Sequence, residues 1–154
     1  MKPEEPNAAL TIRRFRPGDE ADVVELWRGS DLLRPANDPA QDIARKGRVG
    51  GHLFLVALLG ERIVGSVMGG YEGHRGWINY LAVSPSCRRR GIGRRLMEEV
   101  EGLLRADGCP KINLQVRTSN RAVVAFYAAL GFTEDPVVSL GKRLVDEGPS
   151  RPAG

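Results

Sequence analysis

The stretch Val83-Ser84-Pro85-Ser86-Cys87-Arg88-Arg89-Arg90-Gly91-Ile92-Gly93 joins two segments of different periodicity. Before it, residues 77–83 are apolar on both faces except at Asn79, the pattern of a central strand covered on two sides. After it, Ile92, Leu96, Met97, Val100, Leu103 and Leu104 recur at helical spacing until Gly108, which predicts a helix with one buried face. A buried strand that passes through a glycine turn into an amphipathic helix forms an anion site. Gly91 and Gly93 permit backbone conformations and close approaches denied to other residues. The first amides of the helix lack intrahelical partners and lie at the positive end of its dipole. Arg88, Arg89, Arg90, Arg94 and Arg95 add cationic donors, so a pyrophosphate suits the chemistry. Two familiar phosphate motifs do not apply. The dinucleotide fingerprint needs a third glycine near position 96, where Leu96 stands, and the P-loop spacing is echoed only at residues 60–66, without its lysine.

Working outward, residues 11–15 predict a strand, Arg16-Pro17-Gly18 a turn, and Asp19 the cap of a helix through Val23, Val24, Leu26 and Trp27. Asp38-Pro39 starts a second helix, with Asp38 as cap and Pro39 at the first helical position. The runs 53–59 and 63–68, joined by Gly60-Glu61-Arg62, predict an antiparallel hairpin. Gly69, Gly70, Gly73 and Gly76 mark a turn carrying Tyr71, Glu72, His74 and Arg75. Residues 111–116 predict a strand, 120–130 a helix ended by Gly131, and 137–144 a last strand. The order β-α-α-β-β-β-α-β-α-β is that of an α/β domain at residues 10–144, and the Pro-, Gly- and charge-rich stretches 1–9 and 145–154 read as flexible tails.

The chain has 154 residues, 42% hydrophobic and 27% charged, which suits one globular domain and argues against a disordered chain. Its longest apolar runs fall short of the roughly 20 residues of a membrane span, and the first ten residues lack the apolar core of a signal peptide. Cys87 and Cys109 make neither a disulfide framework nor, with the two histidines, a metal-binding pattern. These readings imply a cytoplasmic protein without a metal. The net charge of +4 raises nucleic acid as a partner, but the interleaved aromatics or recognition helix of such a module are missing.

The wider pattern V-x-P-x-x-R-x-x-G-x-G over 83–93, followed by Asn120-x-Ala122-x-x-x-Phe126-Tyr127-x-x-Leu130-Gly131-Phe132, resembles the two conserved blocks of the GCN5-related N-acetyltransferase (GNAT) superfamily. Within it the chain is most similar to small bacterial YpeA-like acetyltransferases, through Asp31-Leu32-Leu33-Arg34-Pro35, the stretch 69–76 and Ser139-Leu140-Gly141-Lys142-Arg143-Leu144. The resemblance implies the GNAT fold, a mixed and mostly antiparallel central sheet with helices on both faces. It also implies acetyl-CoA as acetyl donor and direct attack by an amine in a ternary complex. The acceptor is open between a small-molecule amine and a protein N-terminus or lysine. A non-catalytic acyl-CoA sensor is a further alternative, and because many members dimerise a homodimer is one option for assembly.

Carried over residue by residue, the resemblance implies that Leu81, Ala82 and Val83 pair with the pantetheine arm through their main chain. The amides around Arg88, Arg89, Arg90, Gly91, Ile92, Gly93 and Arg94 would cradle the pyrophosphate, and Asn120 would bond the coenzyme arm or cap the following helix. By spacing alone Tyr127 reads as a core aromatic; the resemblance reverses this, since it matches the family's general acid, a phenol that protonates the departing thiolate. Gln115 stands where the ribosomal-protein acetyltransferases carry a glutamate and cannot take a proton, which leaves Glu72, His74 or a water chain as base. Cys87 reads as an incidental loop residue, and Asn79 as either an acceptor-pocket residue or a bonded core amide.

Overall fold

The computed structural model describes residues 9–145. The chain forms β1 (Leu10–Arg14), α1 (Glu20–Gly29), α2 (Pro39–Arg48), β2 (Phe54–Leu59), β3 (Arg62–Tyr71), β4 (Gly76–Val83), α3 (Ile92–Ala106), β5 (Ile112–Leu114) and α4 (Arg121–Ala129). The strands make one sheet in sequence order, antiparallel from β1 to β4 and parallel between β4 and β5. Strand alternation divides its side chains between two cores. Leu55, Ala57, Val64 and Val67 pack with α3 and Tyr127 of α4, while Phe54, Val56, Leu58 and Met68 pack with Val23, Leu26 and Trp27 of α1 and Ile43 of α2. The fold is therefore the expected mixed α/β sheet with helices on both faces.

A buried polar chain ties α1 to the middle of the sheet. Trp27 Nε1 donates to Ser66 Oγ at 2.9 Å, and Ser66 Oγ donates to the Tyr80 carbonyl at 2.8 Å. This satisfies polar groups that burial would otherwise penalise. At the start of α2, Asp38 Oδ1 accepts from the amides of Ala40 and Gln41, the cap expected of the Asp-Pro pair.

Several expectations need correction. Asp19 does mark the start of α1, but its carboxylate does not cap that helix. It accepts two bonds from the Arg13 guanidinium, at 2.8 and 3.0 Å, and one from the Arg16 amide at 2.8 Å, because a nearly buried carboxylate gains more from a cation than from a helix amide. Gly69 and Gly70 are not turn residues: β3 runs through them to Tyr71. A Cβ on Gly69 would lie 2.8 Å from Val100 Cγ2, and one on Gly76 would lie 2.8 Å from Cys109 Sγ, so these glycines let α3 and the β5 entry pack closely on the sheet. Only Gly73, at φ +103°, has a turn conformation here.

The strand expected at 111–116 shortens to Ile112–Leu114, and none forms at 137–144 among the described residues. Because β5 ends after three residues, it offers no continuous edge for a sixth strand. The segment is held by side chains instead: Lys111 with Asp135, Gln115 Nε2 donating to Ser139 Oγ, and Arg143 Nη1 donating to the Ala36 carbonyl. Val138, Leu140 and Leu144 are more than four-fifths exposed. The tails expected at 1–9 and 145–154 lie outside the described residues except at their inner ends.

Candidate active site

The upper half of β4 departs from regular strand geometry. Asn79 pairs with Met68 and Ala82 with Ser66, so Tyr80 and Leu81 together oppose Val67. This is a β-bulge, and Tyr80 takes the left-handed conformation at φ +50°. For a non-glycine residue that conformation costs on the order of 1–3 kcal/mol, and surrounding contacts must hold it. Here the Tyr80 ring stacks on Trp27 with centroids 3.8 Å apart, and its hydroxyl donates to Asp42 Oδ2 of α2 at 2.6 Å. The bulge moves the alternation by one residue, so Tyr80 and Ala82 face α1 and α2 while Leu81 and Val83 join the α3 face.

At the same level β5 parts from β4. The parallel ladder ends at Ile78 with Leu114. Beyond it, the β4 edge at Asn79 through Val83 has no neighbouring strand on the β5 side among the described residues. Such an edge presents main-chain donors and acceptors that an extended ligand arm can pair with. Leu81, Ala82 and Val83 lie on it, and Asn79 is exposed at its start.

The chain then makes one short 3₁₀ turn at Pro85–Cys87 and bends through two left-handed residues, Arg89 at φ +67° and Gly91 at φ +73°, into α3. Cys87 is fully buried beneath the turn as a core residue. Gly91, at the N-cap of α3, has no side chain to cap it, and no acid lies in the first turn. Its first main-chain bond within the helix runs from the Arg95 amide to the Gly91 carbonyl, which leaves the amides of Ile92, Gly93 and Arg94 outside the helical ladder. An anion would satisfy them and the helix dipole together. Arg88, Arg89 and Arg90 are exposed around this end, while Arg94 makes a loose solvent-facing pair with Glu98 at 4.0 Å. Gly93 has a packing reason for its identity: a Cβ there would sit 3.2 Å from Phe126 Cζ and 3.7 Å from Val83 Cγ2. The open β4 edge and the uncapped cationic turn fit a long ligand with a peptide-like arm and a pyrophosphate, such as coenzyme A.

Tyr127 lies on α4, 7% exposed, with edge-on contacts to Phe126 and Phe132 at centroid separations of 5.1 and 5.4 Å. No described residue hydrogen-bonds its hydroxyl, and burial pushes its pKa up to about 12. It therefore holds its proton throughout the neutral range. Asn120 caps α4 through Oδ1, which accepts from the Val123 amide at 3.3 Å. The cap leaves the amide NH₂ available.

Glu72 sits elsewhere. Its carboxylate accepts from the amides of His74 at 3.0 Å and Arg75 at 2.6 Å, in the turn between β3 and β4. Met68 pairs with Asn79, and Glu72 lies four residues further along the chain, a span of about 13 Å at ~3.3 Å per residue. The structure places the turn and the open β4 edge at one end of β4, Asn120 at the start of α4, and Glu72 and His74 at the other end of β4. Gln115 is bound to Ser139.

Sequence reasoning missed the Trp27–Tyr80–Asp42 arrangement that shapes the bulge. An aromatic with a polar tip inside an apolar strand is its only sequence signal. Among the described residues no cluster of three His, Cys, Asp or Glu could hold a metal, and no helix is long and apolar enough to cross a membrane.

Comparison with known proteins agrees with this geometry. Residues 21–132 match the model of the acetyltransferase (GNAT) family. An acetyltransferase of Sodalis glossinidius (strain morsitans) is 50% identical over 139 residues, covering 90% of this chain and 98% of that protein. An acetyltransferase of Pectobacterium atrosepticum is 49% identical over 138 residues, covering 90% and 98%. Among solved structures, Ard1 from Thermoplasma volcanium superimposes with a TM-score of 0.68 at 29% identity, covering 81% of this chain and 83% of that one.

Proposed function

Because the chain belongs to the acetyltransferase (GNAT) family and is an acyltransferase enzyme, we propose that it transfers acetyl from acetyl-CoA to an amine by direct attack in a ternary complex. The observation that carries this reading is the coincidence of the open β4 edge with the uncapped, arginine-flanked start of α3. Bound at this site, acetyl-CoA would supply the activated thioester. Main-chain groups of Leu81, Ala82 and Val83 would align its peptide-like arm, and the amides of Ile92, Gly93 and Arg94, with Arg88, Arg89, Arg90 and Gly91 around them, would hold its phosphates.

Tyr127 Oη holds the proton that a departing thiolate must receive. With its pKa pushed up to about 12 by burial, the phenol stays protonated across the neutral range, so the proton is in place when the thiolate departs. Asn120 bonds the arm through the NH₂ that its cap leaves unused. Glu72 serves as base only through water, since about 13 Å separates it from the level of Asn79 at ~3.3 Å per residue. The amides of His74 and Arg75 keep it positioned, and Asn79 lies at the mouth where an attacking amine would enter.

A thiol-release assay with acetyl-CoA and a panel of small amines, amino acids and peptides tests the reading. Amine-dependent release with matching N-acetyl product is expected for at least one acceptor. A hyperbolic release that proceeds identically without any amine would indicate hydrolysis and overturn it.

A further inference from the structure

At the end of β4 opposite the arginine turn lies a cavity of about 670 Å³, a size typical of small-ligand sites. We propose that it binds a small organic anion, a flat or apolar molecule bearing a carboxylate or phosphate, with Lys46 as counter-charge and Trp77 as apolar wall. Lys46 lies on α2 and is 7% exposed, yet no hydrogen bond or ion pair from the described residues engages its ammonium. Its stem is buried while its ammonium borders the cavity, so a cation that no described side chain pairs faces the space a ligand would occupy. Burial pulls its pKa below the ordinary lysine value, and a bound anion would reverse that.

The other ionisable groups of the cavity have protein partners, and two of them, Glu72 and Asp107, are carboxylates, so an anion would be placed at Lys46 and away from them. His52 Nε2 and Asp107 Oδ2 lie 2.6 Å apart, and both oxygens of Glu72 accept main-chain amides. Lys46 is thus the charge left to recognise a ligand. Space beside it is kept by two glycines from different elements: a Cβ on Gly50 would sit 3.6 Å from Nζ, and one on Gly70 would sit 3.7 Å from it. Gly70 pairs with Trp77 across the sheet, which places the indole next to the ammonium on one wall. Trp77 is 37% exposed, whereas Trp27 is fully buried. The inference does not depend on the donor chemistry proposed above.

The test is titration of ¹⁵N-labelled protein with benzoate and with phenyl phosphate, following the two indole N–H signals, with benzyl alcohol at matched salt as the neutral probe. Saturable movement of the Trp77 signal with one or both anions is expected, while Trp27 stays still. The tighter of the two identifies the head group. Lys46→Met should weaken binding about tenfold or more. Gly70→Val, which keeps the lysine and fills the space beside it, should weaken it similarly, so the test survives if either variant folds poorly. Equal binding by wild type and Lys46→Met, equal binding of benzyl alcohol, or no saturable movement at Trp77 would each overturn the proposal.

Discussion

Removing one oxygen at Tyr127 separates catalysis from packing. Tyr127→Phe keeps the ring, its edge-on contacts with Phe126 and Phe132, and the volume of a residue only 7% exposed. No hydrogen bond from a described residue to the lost hydroxyl is broken, so stability at pH 7 should stay within about 1 kcal/mol of wild type. A positioned general acid contributes roughly 10²–10⁴ in rate. Steady-state thiol release should therefore show kcat down about 100-fold or more, with acetyl-CoA affinity by calorimetry within about threefold of wild type. The pH dependence gives a second readout. The folded pKa, raised from 10.0 to about 12, exceeds the unfolded value, so the group leaves stability unaffected below pH 10, and stability falls as pH rises from 10 toward 12 while the unfolded chain ionises first. The fall amounts to at most about 2–3 kcal/mol, and Tyr127→Phe should lack that alkaline loss in denaturant titrations at pH 7 and pH 11. A kcat within about threefold of wild type would refute the acid role and leave Tyr127 as a core aromatic.

Other consequences are as specific. Asp19→Asn should destabilise by about 1–3 kcal/mol, because it removes the charge that the Arg13 guanidinium grips while leaving that cation partly buried. The Arg13 bond holds the Asp19 carboxyl below its ordinary value, so its stabilising effect is present above pH 4 or so and is lost as pH falls through the folded pKa; acid denaturation of wild type and variant should converge there. Gly69→Ala places a methyl 2.8 Å from Val100 Cγ2 and 3.4 Å from Leu53 Cβ, and thermal denaturation should show a loss of about 1–3 kcal/mol. Glu72→Gln should slow transfer about tenfold or more in steady-state thiol release, as loss of a water-linked base requires; an unchanged rate would leave the proton to solvent.

Local sequence carried the parts of the fold that local chemistry decides. The change of period at 83–93, the Asp38-Pro39 start of α2 and the Asn120 cap of α4 are all legible because cap, turn and helical stripe are short-range features. Gly69 and Gly76 were misleading, since glycine serves turns and close approaches alike and only the position of Val100 and Cys109 decides between them. The alternation at 137–144 looks like a strand, but a strand needs a partner edge and β5 is too short to provide one. The bulge at Tyr80 depends on Trp27 and Asp42, which are brought to it by separate helices, and no local pattern encodes that meeting. Lys46 was invisible as a buried charge for the same reason: α2, β3 and the end of α3 surround it only in the folded chain.

The central claim, that coenzyme A lies along the open β4 edge with its phosphates on the start of α3, is tested most directly by mapping amide signals during titration of ¹⁵N-labelled protein with coenzyme A. The account predicts that Arg88, Gly91, Ile92, Gly93 and Arg94 shift most, together with Leu81, Ala82 and Val83, and that Arg88→Ala weakens binding. Saturable binding that leaves the amides of 88–94 unmoved would contradict it.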